Sequence, residues 1–128
     1  MVQIGEIIAK LELGVNDKSK KVRLIAKLKD GENIQADINN ICEDNNDGTV
    51  VISNAKTIKE ITTVKNIIFN LFLYQSDKEA KFAIYNSDKS KLIVYTTLPK
   101  LSNIKVVECN DYIEMYIYIN NEEEESNG

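Results

Sequence analysis

The sequence predicts a mainly β fold: a compact antiparallel β-barrel or sandwich of about six to eight strands, with at most one or two short helices. Three observations predict it. Residues 21–38 alternate apolar and polar side chains around an Asp-Gly turn. Residues 80–97 hold two β-rich runs around a polar loop. Further β-branched and aromatic runs, Thr49 to Ser53, Ile104 to Cys109 and Tyr112 to Ile119, are separated by Asn, Asp and Gly pairs.

The first hairpin is the best determined. Val22, Leu24, Ala26 and Leu28 alternate with Lys21, Arg23, Lys27 and Lys29, and the partner run places Ile34, Ala36 and Ile38 on one face. A two-residue Asp30-Gly31 loop would oppose Leu28 to Asn33 and mix the faces. A three-residue loop, Lys29-Asp30-Gly31, opposes Leu24 to Ala36, Ala26 to Ile34 and Arg23 to Asp37, and puts Gly31 where a G1 bulge needs a left-handed residue.

In the second hairpin, pairing Ile84 with Leu92 and Phe82 with Val94 gives one apolar face. Ala83 and Ile93 lie on the other, as expected of strands that are central or covered on both sides. Two stretches read both ways. Residues 3–13 fit a helix or a strand. In residues 54–74 a helical stripe competes with β-branched content, and the expectation is a short helix or turn near 55–64 followed by a strand over 66–74. The pairs Asp17-Lys18 and Asp77-Lys78 invite an internal repeat, but the loops differ in length and few residues match, so no repeat is expected. Residues 1–119 are read as a single β-rich domain and 120–128 as a disordered acidic tail.

Composition excludes several function classes. The 128 residues contain no His, which removes His-based triads, His metal sites and the usual near-neutral base. Cys42 and Cys109 are too few and too far apart for a four-cysteine zinc site. They read as reduced thiols in a cytoplasmic protein. The net charge of −4 is carried by the run Glu122 to Glu125, so the preceding body is neutral. Arg23 is the only arginine, and abundant Lys, Ile and Asn suggest an AT-rich genome. There is no Gly-rich phosphate loop, no membrane-spanning stretch, and no basic-then-apolar start of the kind a signal peptide has. Glu43 to Gly48 has a passing likeness to a calcium loop, but Asn54 stands where a bidentate Glu is needed, so a polar turn is expected. No cofactor or metal is implied, and no nucleophile has an activating base beside it.

Two rows of side chains stand out as candidate binding residues. Lys21, Arg23, Lys27 and Lys29 lie on one strand, in a stretch from Lys18 to Lys29 that holds six basic residues and no acid. Same-face neighbours on a strand are about 6.8 Å apart, close to the phosphate spacing of an extended single strand. Tyr112, Tyr116 and Tyr118 form the second row on the last strand, with Glu114 between them. Lysines beside aromatics suit a single-strand nucleic-acid platform. The plainer reading is that the lysines guard a sheet edge and the tyrosines are ordinary strand residues.

Leu28-Lys29-Asp30-Gly31, followed by Ile34, Ala36 and Ile38, resembles the first motif of Sm-like RNA-binding proteins. The resemblance covers this hairpin alone. The family's Asp-x-x-x-Asn pocket would fall near Cys42 to Asp47 and is not clearly reproduced, and the second motif is absent. Any G1-bulge hairpin gives the same pattern. The function expected from the sequence is therefore a non-enzymatic binding or assembly module that uses a sheet edge or the Tyr-bearing face for a protein partner or self-association. The alternative is a single-stranded nucleic-acid or other polyanion binder, and a small-molecule-binding β-barrel ranks third.

Overall fold

The computed structural model describes residues 1–56 and 61–119; the proposed acidic tail lies outside the described residues. Its elements are α1 (Ile4–Gly14), β1 (Lys21–Leu28), β2 (Asn33–Asp37), β3 (Asn40–Glu43), β4 (Val50–Ser53), α2 (Val64–Leu71), β5 (Ala80–Tyr85), β6 (Leu92–Thr97), a 3-10 turn (Leu101–Asn103), β7 (Ile104–Glu108) and β8 (Tyr112–Ile119). The strands form two four-stranded sheets ordered β2-β1-β8-β7 and β3-β4-β5-β6. Each sheet is mixed, with β1 and β8 parallel in one, β4 and β5 parallel in the other, and antiparallel hairpins flanking both pairs. The fold is thus mainly β, but the sheets are not purely antiparallel and do not close into a barrel.

The first hairpin folds as its alternation dictates. Arg23 pairs with Asp37, Leu24 with Ala36 and Ala26 with Ile34. The Gly31 N–H donates to Leu28 O (3.0 Å), and the Leu28 N–H donates to Glu32 O (2.9 Å). Gly31 has φ +92°, the left-handed conformation that a side chain would strain.

The second hairpin departs from its expected register. Ile84 pairs with Val94, Phe82 with Thr96 and Ala83 with Tyr95, and a bulge between Ile84 and Tyr85 precedes the Tyr85–Leu92 pair. The loop is longer than expected, and the Asn86 side chain holds it, because its Oδ1 accepts from the N–H groups of both Ser90 and Lys91. Leu92 therefore leaves the apolar face and is exposed.

Both ambiguous segments contain helices, and residues 57–60 of the helix or turn expected near 55–64 lie outside the described residues. The strand expected over 66–74 is absent: Val64, Ile67, Ile68 and Leu71 are buried at helical spacing, and Thr63 Oγ1 caps α2 by accepting from the Asn66 N–H (3.1 Å). The β-branched Thr62-Thr63 pair lies at the start of the helix and does not continue a strand. In α1, Ile4, Ile7, Ile8 and Leu11 are buried in the same pattern. The short strand β3 was not anticipated from the sequence at all.

The repeat reading also needs correction. The four buried positions of α1 match the four of α2 at one constant offset, the same that separates the two Asp-Lys pairs. Each half is a helix followed by four strands, and each sheet takes two strands from each half. The hydrogen bonds joining the halves are duplicated too. Ile4 N–H donates to Lys78 O (2.9 Å) as Val64 N–H donates to Lys20 O (3.0 Å), and Ala80 N–H donates to Val2 O (2.9 Å) as Val22 N–H donates to Thr62 O (2.7 Å). A two-fold pseudosymmetric topology results, with one continuous core built from both helices and the inner faces of both sheets.

Candidate functional site

The inner face of the β2-β1-β8-β7 sheet is set by Val22, Leu24 and Ala26 on β1 and Ile113, Met115 and Ile117 on β8, all buried in the core. The intervening residues must then point outward. In the parallel register Lys21 lies beside Tyr112, Arg23 beside Glu114, Ile25 beside Tyr116 and Lys27 beside Tyr118. The basic row and the tyrosine row therefore share one outer face and run side by side. Lys29 lies beyond β1, in the turn. Because β1 and β8 are the two central strands, these lysines do not guard a sheet edge.

Contacts within the face are specific. The Arg23 guanidinium lies 4.0 Å from the Tyr112 ring centre and the Lys27 ammonium 5.4 Å from that of Tyr116. Tyr116 and Tyr118 stack with centroids 6.3 Å apart. The Tyr116 hydroxyl donates to Glu114 (2.7 Å), and this bond, with burial and the carboxylate's charge, pushes its phenol up to about 12. The charge of Glu114 likewise raises Tyr112. The flanking strands add the expected Asp37 beside Arg23, and residues that sequence reasoning missed: Asn33 and Gln35 from β2, and Lys105 and Val107 from β7. Only the pairing of β7 with β8 could have revealed Lys105.

A different feature distinguishes the other sheet. Of the four edge strands, β2 carries Asp37, β3 carries Glu43, and β7 carries Lys105 and Glu108. Strand β6, Leu-Ile-Val-Tyr-Thr-Thr, carries no charge. It exposes Leu92 (41%), Ile93 (45%) and Tyr95 (48%). Tyr95 is held in place: its hydroxyl donates to Asp44 (2.6 Å), and the Lys81 ammonium sits 4.5 Å from its ring centre. Lys81 also pairs with Asp47, and this bond, with those from Thr49, holds the Asp47 carboxyl down at about 2. The likeness to a calcium loop thus resolves into a polar turn in which Asp44 and Asp47 face Lys81 and Tyr95 and Glu43 pairs with Lys78.

Among the described residues, no His, Cys, Asp and Glu side chains cluster as metal ligands do, and no helix is long and apolar enough to cross a membrane. Cys42 and Cys109 are free thiols. A groove of about 470 Å³ lies between β2 and the tip of the second hairpin, lined by Ala36, Asn54, Tyr85 and Ile93 among others. Phe69, Phe72 and Leu73 leave a further apolar patch exposed at the end of α2. Compared with known proteins, the chain matches no family model, no curated protein and no solved structure.

Proposed function

We propose that the protein is a non-enzymatic assembly module in which two copies of the chain join through β6. The observation that carries this reading is the uncharged, apolar β6 edge among three charged ones. An edge strand offers unpaired backbone N–H and C=O groups, and proteins ordinarily blunt such edges with charges, Pro or bulges. Here the bulge, whose extra residue is Ile93, lies near the start of β6 and Pro99 lies beyond its end, and the run from Val94 to Thr97 between them is free of all three. A two-fold antiparallel pairing centred on Val94 opposes Ile93 to Tyr95 of the second copy, twice over. Aromatic with β-branched is among the favourable cross-strand pairs. Such pairing joins two four-stranded sheets into one continuous sheet.

The experiment is a solution mass measured across a dilution series. The reading expects twice the 14.5 kDa chain mass at high concentration, falling to the monomer in the Ile93→Lys variant. A Val107→Lys change on β7 leaves the dimer intact. A wild-type monomer throughout, or a dimer insensitive to Ile93→Lys, overturns the proposal; a foreign strand captured at β6 in place of a second copy overturns self-association.

A further inference from the structure

The outer face of the β2-β1-β8-β7 sheet is divided by charge. At one end Arg23 faces Asp37 across β2 and Glu114 across β8, and a depression beside it has Asp37 and Asp111 in its wall with Lys21. Acids offset the bases there. At the other end Lys27 lies between Asn33 and Tyr118, Ile25 lies between Gln35 and Tyr116, and Lys105 pairs with Tyr116 from β7. The residues that β1, β2 and β7 bring to that end include no acid, and the one carboxylate that reaches it, Glu114 of β8, accepts from the Tyr116 hydroxyl.

We infer that this end of the face, built from Lys27, Lys105, Tyr116, Tyr118, Asn33 and Gln35, is a binding site for single-stranded nucleic acid. Each side chain type has a role. Ammonium groups on two strands flank the tyrosines and can take phosphates on both sides of a chain. Tyr116 and Tyr118, already stacked on each other and half-exposed, offer ring faces to bases. The bond from its hydroxyl to Glu114 (2.7 Å) fixes the Tyr116 ring in place on the face. Asn33 and Gln35 are exposed amides able to donate and accept at base edges. A duplex buries its base faces and cannot use stacked tyrosines on a sheet, whereas a single strand can splay its bases onto them. The site shares no residue with β6, so its failure and that of self-association are separable.

The test is fluorescence anisotropy of a labelled oligothymidylate at several salt concentrations. Binding at low salt is expected, weakening as salt rises with a log–log slope of about −0.7 per phosphate contacted. The Lys27→Gln/Lys105→Gln double variant flattens that slope by about 1.4. Tyr118→Leu weakens binding roughly 5- to 150-fold, the range for one lost stacked base, and leaves the slope unchanged. Lys105 is exposed, so Lys105→Glu serves as a check that cannot be mistaken for unfolding, and it should abolish binding with circular dichroism unchanged. Absence of binding at low salt, indifference to the lysine changes, indifference to Tyr118→Leu, or tighter binding of the matching duplex each overturn the inference.

Discussion

Asn54 is the side chain on which the second hairpin's geometry turns. It is buried at the end of β4, donating from Nδ2 to Tyr85 O (3.0 Å) and accepting at Oδ1 from the Tyr85 N–H (2.7 Å). It completes the backbone pairing of β5 at the residue where the register shifts toward β6. Asn54→Ala removes both bonds and strands both Tyr85 groups. At about 1–3 kcal/mol for each of the two unsatisfied groups, the loss is about 2–6 kcal/mol, less where water can enter. For a chain of this size a kilocalorie corresponds to roughly 3–5 °C, so the melting temperature should fall by roughly 6–30 °C. The assay is urea denaturation followed by tyrosine fluorescence, which the absence of Trp leaves unmasked. The midpoint should drop with an unchanged m-value, and the Tyr85 amide should lose its protection from exchange. Asn70→Ala, removing an exposed side-chain bond within α2, is the control and should cost under about 0.5 kcal/mol. A loss at Asn54 no larger than the control's would refute the reasoning.

Three further outcomes follow from the same geometry. Gly31→Ala forces a side chain into φ +92° and should destabilise by about 1–2 kcal/mol in the same denaturation assay, although nothing crowds the position. Glu114→Gln removes the carboxylate that holds the Tyr116 phenol at about 12, so in a phenolate absorbance titration the last tyrosine to ionise should move down toward 10.0. In the wild type that raised phenol stabilises the fold below pH 10.0, and the contribution fades as pH climbs toward about 12. Asp47 has the opposite sign: its contribution is present above the ordinary 3.8 and lost as pH falls through about 2, so Asp47→Asn should flatten the acid limb of a stability–pH curve there.

The hairpin of β1 and β2 was legible because alternation and one glycine both specify the same register. Its neighbours were not, because the parallel pairing of β1 with β8 joins residues from opposite ends of the chain, and no local pattern announces it. That pairing decides whether the lysine and tyrosine rows share a face, and it also brings Lys105 to them. The helix α2 was written in the sequence as Val64, Ile67, Ile68 and Leu71, but β-branched content was weighted above periodicity. Their match to Ile4, Ile7, Ile8 and Leu11, and with it the duplicated topology, shows only once both segments are helices. The shift in the second hairpin comes with a longer loop, held by Asn86 bonding two backbone amides, a choice between loop geometries that apolar patterning cannot make. The β6 edge could be seen only once the strand order was known.

Amide hydrogen exchange, resolved along the chain and repeated at increasing protein concentration, tests the assembly claim most directly. Protection should rise with concentration in residues 92–97 and stay constant at the edges of β2, β3 and β7. Protection in β6 that is independent of concentration, or a rise confined to another edge, would contradict it.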